Sequence, residues 1–244
     1  MTSPLLALKD VHTHINSYHV LHGVTFDVPQ DEITVLLGRN GAGKTTTLRT
    51  IVGLWKASAG ELTFRDQSIR GSETSEIARR GIAYVPENMG IFSGLTVQQN
   101  LMLATRTGKF DQDRLAWLLD LFPPLKKFWD RPAGNLSGGQ KQMLSIGRAV
   151  IEPRSLILID EPTKGIAPAI VDDMVLAFNS LKQARTTILL VEQNFGFASE
   201  LGDRVAVMDD GRIVHTGTMA DLLADPALQQ RHLGLSVTDE ASFH

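Results

Sequence analysis

Two short stretches of this sequence have the residue types needed to hold phosphate. Gly38–Thr45 reads GRNGAGKT and Asn135–Met143 reads NLSGGQKQM. The first fits the pattern G-x-x-x-x-G-K-[ST]. Its glycines let the backbone curl until several N–H groups point at one phosphate, and the start of a following helix adds positive potential. At this spacing Lys44 is expected to reach the β- and γ-phosphates of a nucleotide, and the Thr45 hydroxyl to ligate Mg2+. Gly38, Arg39, Asn40, Gly41, Ala42, Gly43, Lys44, Thr45 and Thr46 are therefore candidate nucleotide-binding residues. Ser155–Pro162, SLILIDEP, is an apolar run that delivers two acids at its end. Asp160 is placed to hold Mg2+, directly or through water, and Glu161 to polarise an attacking water. Together these groups could transfer a phosphoryl group to water.

The second stretch raises a different question. Ser137 is a good helix N-cap, and the sequence after it is amphipathic. Ser137, Gly138, Gly139 and Gln140 would form a second anion-binding surface. Yet the phosphates of one nucleotide are already enclosed by the first loop. The economical reading is that this surface holds the γ-phosphate of ATP bound to another copy. Two copies would face head to tail with two ATPs between them.

These groups need a scaffold to position them. EITVLLG (Glu32–Gly38) is a nearly all-apolar, β-branched run of the kind buried in parallel sheets. KTTTLRTIVG (Lys44–Gly53) then reads as a helix ending at Gly53. GIAYVP, SLILID, TTILLV and RVAVMD read as further strands, with helical patterns between them such as Ala169–Leu181. That alternation predicts an α/β fold with a mainly parallel sheet. Leu5–Thr13 and Gly23–Val28 alternate apolar and polar residues, as half-buried strands do. From Leu95 to Val150 the pattern is mostly helical, so a helical lobe over about 88–150 is expected to interrupt the α/β core. MDDGRIVHTG reads as a late hairpin turning at Asp-Gly. One domain is expected over 1–235, with 236–244 as a loose tail.

Bulk properties narrow the function. The chain has 244 residues, 43% hydrophobic and 21% charged, enough for one good core. Its net charge is −3 and its basic residues are scattered, which argues against a nucleic-acid partner. Without cysteine there is no disulfide, thiolate metal site or cysteine nucleophile. No apolar run approaches the roughly 20 residues that span a bilayer. The N-terminus lacks the pattern of a signal peptide, so a cytoplasmic location is expected. The histidines show no metal spacing, although His12 and His14 could share a strand face.

GRNGAGKT, LSGGQ and LILIDEP in this order resemble the ATP-binding cassette (ABC) family of ATPases over about residues 5–235. The resemblance implies a P-loop NTPase (RecA-like) core with a mainly parallel sheet, an antiparallel β subdomain and an inserted helical subdomain. It also implies ATP and Mg2+ as ligands and the sandwich dimer that the second loop requires. It puts Tyr18 where an aromatic residue stacks on adenine, the lesser alternative being a surface aromatic in a turn.

Three positions depart from the family pattern. Glu87 stands after "VP" where most members have a glutamine near Mg2+. Gln193 replaces a histidine that contacts the γ-phosphate; its amide can donate a hydrogen bond but cannot titrate near neutrality. That leaves Glu161 as the expected base, with Glu192 as the adjacent alternative. Lys164–Pro168, KGIAP, lacks the aspartate of the usual "SALDP".

EPTKGIAP, VEQN and VPENMGIFSGLTVQQNL together resemble the smaller ATPase subunits of bacterial importers for branched-chain amino acids, with related importers for urea and short amides. The partners this implies are a second ABC ATPase, two membrane permeases and, indirectly, a solute-binding protein. The implied location is the cytoplasmic face of the bacterial inner membrane. Met89, Ile91, Phe92 and Leu95 could floor a permease groove or pack under the helical lobe. Trp117, Leu118, Leu121 and Phe122 read as lobe core, and Arg79-Arg80 and Lys126-Lys127 as solvated faces. Two alternatives remain: a soluble ABC ATPase of DNA repair or translation, which usually carries a coiled-coil insertion or tandem cassettes, and an ATP-binding regulatory module.

Overall fold

The computed structural model describes residues 3–233. Its strands are β1 (Leu6–Ile15), β2 (Tyr18–Val28), β3 (Ile33–Leu37), β4 (Ala57–Phe64), β5 (Gln67–Ser68), β6 (Ile82–Val85), β7 (Leu156–Asp160), β8 (Ile188–Glu192), β9 (Arg204–Asp209) and β10 (Arg212–Thr218). The helices are α1 (Lys44–Ile51), α2 (Thr74–Arg79), α3 (Val97–Met102), α4 (Gln112–Leu121), α5 (Pro123–Lys127), α6 (Gly138–Val150), α7 (Pro168–Gln183), α8 (Phe195–Leu201), α9 (Met219–Ala224) and α10 (Pro226–Leu233).

Six strands form the main sheet in the order β10-β9-β3-β8-β7-β6, parallel except for the β9–β10 hairpin. The apolar runs become its centre because both faces are covered. Val35, Ile157 and Leu190 pack into one core with Met174, Phe178 and Phe197 of the helices behind the sheet. Their strand neighbours Leu36, Leu158 and Val191 pack into the other, with Leu48 of α1 and Leu8 and Leu21 of the second sheet. Each buried leucine or valine of this kind contributes about 1.5–3 kcal/mol.

The second sheet is antiparallel, in the order β2-β1-β4-β5. Its polar strand β4 and two-residue β5 carry no clean alternation, and neither is evident in the sequence. Among the described residues, α3 to α6 form the helical lobe. Leu118 and Phe122 are fully buried there, while Trp117 and Leu121 pack partly buried against them. Buried Asn100 bonds the backbone of Phe92, Leu95 and Thr96, pinning the loop that enters the lobe. The expected tail, 236–244, lies outside the described residues.

Sheet register delivers the site. Leu37 pairs with Glu192 across β3–β8, and Asp160 with Val191 across β7–β8. The C-terminal ends of β3, β7 and β8 therefore stand level, and the loops after them meet, where open α/β sheets bind ligands. Val85 pairs with Ile159, which brings the segment after β6 beside the same edge.

Candidate nucleotide-binding site

The loop after β3 curls through Gly41 (φ 83°) and Gly43 (φ 107°) into α1. Gly43 is the N-cap of α1 and brings no side chain to cap it, and the first turn holds no acid. The first-turn N–H groups thus have no capping acceptor of their own, which suits an incoming anion. A side chain at Gly38 would run into the Met208 carbonyl, so only glycine lets the loop pass β9. Lys44 is buried, and its ammonium donates to the carbonyls of Gly38 (2.8 Å) and Arg39 (3.1 Å). Asn40, Gly41, Gly43, Lys44, Thr45, Thr46, Glu87 and Glu161 line one cleft of about 180 Å³.

Of the two acids, Glu161 lines this cleft and Asp160 lies behind it, bonded to Thr45. Asp160, the last residue of β7, is fully buried and accepts from Thr45 Oγ1 and from the Tyr84 hydroxyl, each at 3.1 Å. Burial pushes its carboxyl above the ordinary range, and the hydrogen bonds from Thr45 and Tyr84 offset only part of that. Glu161 leaves the strand with φ 47°, the left-handed region that costs a non-glycine residue about 1–2 kcal/mol. Its Oε1 accepts from Gln193 Nε2 (2.5 Å) and lies 3.4 Å from Lys44 Nζ. Its Oε2 lies 3.4 Å from Lys164 Nζ. Burial alone would raise the Glu161 carboxyl; Gln193, Lys44 and Lys164 outweigh it and hold the group below its ordinary value.

Glu192 is also buried but is fully engaged elsewhere. It accepts from the Thr163 N–H (3.0 Å) and hydroxyl (2.8 Å), and from the N–H groups of Gln193 (3.0 Å) and Asn194 (3.1 Å). Its carboxylate pins the turn after Glu161 and has no contact with Lys44. Gln193 also donates to Asn40 Oδ1 at 2.6 Å, bridging the phosphate loop to Glu161.

The second glycine stretch stands apart. Ser137 Oγ accepts from Gln140 N (3.3 Å) while Gln140 Oε1 accepts from Ser137 N (3.0 Å), a reciprocal cap on α6. None of Ser137, Gly138, Gly139 or Gln140 lines the cleft of the first loop. Tyr18, at the start of β2, is 75% exposed, and its strand neighbour Val20 lines the cleft.

Three features escaped the sequence reading. Lys164 joins Glu87 (2.7 Å) to Glu161. Tyr84 braces Asp160. His19 and His22 join His12 and His14 in one ring stack on the β1–β2 hairpin. Beside the lobe, Met89 lines a hollow of about 680 Å³ with Arg49, Trp55, Tyr84, Ser145 and Arg148. Phe92, half exposed, lies under the Arg148 guanidinium (5.0 Å to the ring centre).

The donors around Thr45 and Asp160 are all oxygen, with Glu87 on the same cleft, a set that suits a hard cation such as Mg2+ rather than a softer metal. Among the described residues, no helix is long and apolar enough to cross a membrane.

Comparison with known proteins agrees with this geometry. Residues 21–164 match the sequence profile of the ABC transporter family. The high-affinity branched-chain amino acid transport ATP-binding protein BraG of Pseudomonas aeruginosa is 40% identical over 232 residues, covering 94% of this chain and 100% of that protein. The probable branched-chain amino acid transport ATP-binding protein LivF of Archaeoglobus fulgidus is 34% identical over 89% of this chain and 93% of that one. A crystal structure of an ABC transporter's ATP-binding cassette in its ADP conformation matches with a TM-score of 0.79 at 26% identity, covering 96% of this chain and 100% of that chain. With the phosphate loop, the paired acids and the LSGGQ segment on this fold, the chain belongs to the ABC transporter family, as one of its ATP-binding, ATP-hydrolysing importer subunits.

Proposed function

We propose that this chain drives the import of branched-chain amino acids, as one of two ATPases clamped against a pair of membrane permeases. The observation that carries the reading is the 40% identity to BraG along 94% of the chain. The nucleotide-binding unit spans residues 1–235, and the chain sits on the cytoplasmic face of the inner membrane. A solute-binding protein delivers the cargo, and this chain never touches it. No nucleic acid takes part.

In this reading the loop Gly38–Gly43 cradles the phosphates of ATP with its N–H groups. Lys44 turns from its own loop's carbonyls to the β- and γ-phosphates. A magnesium ion held by Thr45 and Asp160, with Glu87 at hand, would neutralise phosphate charge. Thr46 lies in the first turn beside the phosphates, and Tyr18 stacks on the adenine. Glu161 accepts the proton of the attacking water, and Gln193 holds Glu161 and then the γ-phosphate in register by donating hydrogen bonds. Its low-lying carboxyl keeps Glu161 ionised and ready to accept. Ser137, Gly138, Gly139 and Gln140 close over the nucleotide of the opposing ATPase. The hollow beside Met89 and the Phe92–Arg148 pair receives a permease segment and transmits closure.

The test is purification of the tagged chain from gently solubilised membranes, followed by reconstitution in vesicles. Two permeases and a second cassette ATPase should copurify, and the vesicles should take up labelled leucine in the presence of ATP. Uptake of urea or acetamide in place of leucine would overturn the substrate assignment. Recovery with ribosomes or DNA-repair proteins alone would overturn the importer reading.

A further inference from the structure

Among the described residues, Lys164 is the one cation lining this cleft that the reaction above leaves unused. It is more than half exposed, yet its ammonium is tied on two sides, to Glu87 Oε1 at 2.7 Å and to Glu161 Oε2 at 3.4 Å. The two oxygens of Glu161 are held differently. Gln193 and Lys44 both attend Oε1, whereas among the described residues only Lys164 attends Oε2.

The turn that presents Lys164 is itself fixed. Lys164 N donates back to the Glu161 carbonyl at 3.2 Å, and Thr163 is bonded twice to the buried Glu192 carboxylate. Glu161 needs such support because its backbone is left-handed and its side chain hangs from a turn rather than a strand. Lys44 cannot supply it throughout the cycle. Its ammonium now serves two carbonyls and Glu161, and all three lose it once it engages phosphate.

We propose that Lys164 is a positioning residue for hydrolysis: anchored by Glu87, it holds the Glu161 carboxylate in place when Lys44 leaves for the nucleotide. The inference rests on the proposed role of Glu161 as the group that activates water. It also gives a reason for the carboxylate at position 87: Glu87 fastens the lysine that steadies Glu161. A glutamine at 87 could not form that ion pair.

The test uses the assembled transporter with Lys164→Met, Lys164→Arg and Glu161→Gln, singly, and with Lys164→Met combined with Glu161→Gln. Steady-state ATP turnover is read beside equilibrium binding of a fluorescent ATP analogue. Lys164→Met should lower kcat about tenfold while KM and analogue binding stay within about twofold, because the loss is of geometry and not of phosphate contact. Lys164→Arg should recover most of the rate. In the Glu161→Gln background, Lys164→Met should add nothing. Unchanged kcat in Lys164→Met would overturn the proposal. So would a loss confined to KM and analogue binding, which would place Lys164 on a phosphate instead. Full turnover by Glu161→Gln would instead overturn the role of Glu161 itself.

Discussion

The two glycine-rich loops look alike in sequence and are built for opposite situations. The loop after β3 is surrounded by polar groups: a buried lysine, two acids and a bridging, uncharged glutamine. The stretch that opens α6, Ser137 to Gln140, has none of these. Its serine and glutamine satisfy each other, and it lines no part of the first loop's cleft. The glycines differ as well. Gly41 and Gly43 supply backbone conformations, whereas Gly139 supplies space: a Cβ there would lie 2.5 Å from Ile170 Cγ2 of α7. One stretch thus has a lysine and acids around it and the other is a capped helix start without them, the difference on which the proposed sharing of nucleotide between two ATPases rests.

That contrast can be broken most sharply by paired mutations. Lys44→Ala should abolish ATP binding to the isolated chain and cut turnover of the assembled complex by about 100-fold or more. Ser137→Arg should leave binding to the isolated chain intact, measured by equilibrium dialysis, and still stop turnover of the complex. Equal loss of binding in both variants would show that the second loop serves its own chain's nucleotide. A smaller effect separates the two glycines of LSGGQ. Gly139→Ala should cost about 1–3 kcal/mol in thermal unfolding through overpacking against Ile170. Gly138→Ala, whose nearest neighbour is Ile166 Cδ1 at 3.9 Å, should stay within about 0.5 kcal/mol. The smallest expected effect is at Tyr18, where replacement by alanine should raise KM for ATP about threefold without changing kcat.

The sequence was most informative where function is contiguous. GRNGAGKT and LILIDEP each lie on a strand end and the loop beyond it, so chemistry and scaffold share one short segment. The parallel sheet was legible for the same reason: strands buried on both faces, as β3, β7 and β8 are, read as apolar runs, broken here only by Thr34 and by the acids that end β7 and β8. What stayed hidden depends on pairings between distant segments. Glu87 and Lys164 are 77 residues apart and meet only because β6 lies beside β7. Tyr84 reaches Asp160 across the same pair of strands. Glu161 was the expected base from the sequence; the bonds that tie the Glu192 carboxylate to Thr163, 29 residues away, were not legible there.

The histidine stack has a consequence for proton balance. His19 is stacked on His14 (ring centres 4.2 Å apart), edge-on to His22 (4.1 Å) and bonded to His12 (3.0 Å). The far nitrogen of His12 faces Asp10, and the His22 carbonyl takes a hydrogen bond from Arg212. Desolvation, followed by the charges of His22, His14 and His12, holds the His19 ring below its ordinary value. Unfolded chain binds that proton near pH 6.5, and folded chain binds it only at lower pH. Stability is therefore expected to fall slightly as pH drops below about 6.5, the effect kept small by solvent screening of the exposed ring. Hydrogen exchange of residues 12–22 should accelerate between pH 7.5 and 5.5 beyond the intrinsic trend, and His19→Gln should flatten that excess. Because Val20 of the same strand lines the cleft beside Lys44, acidification is expected to be felt at that edge of the cleft.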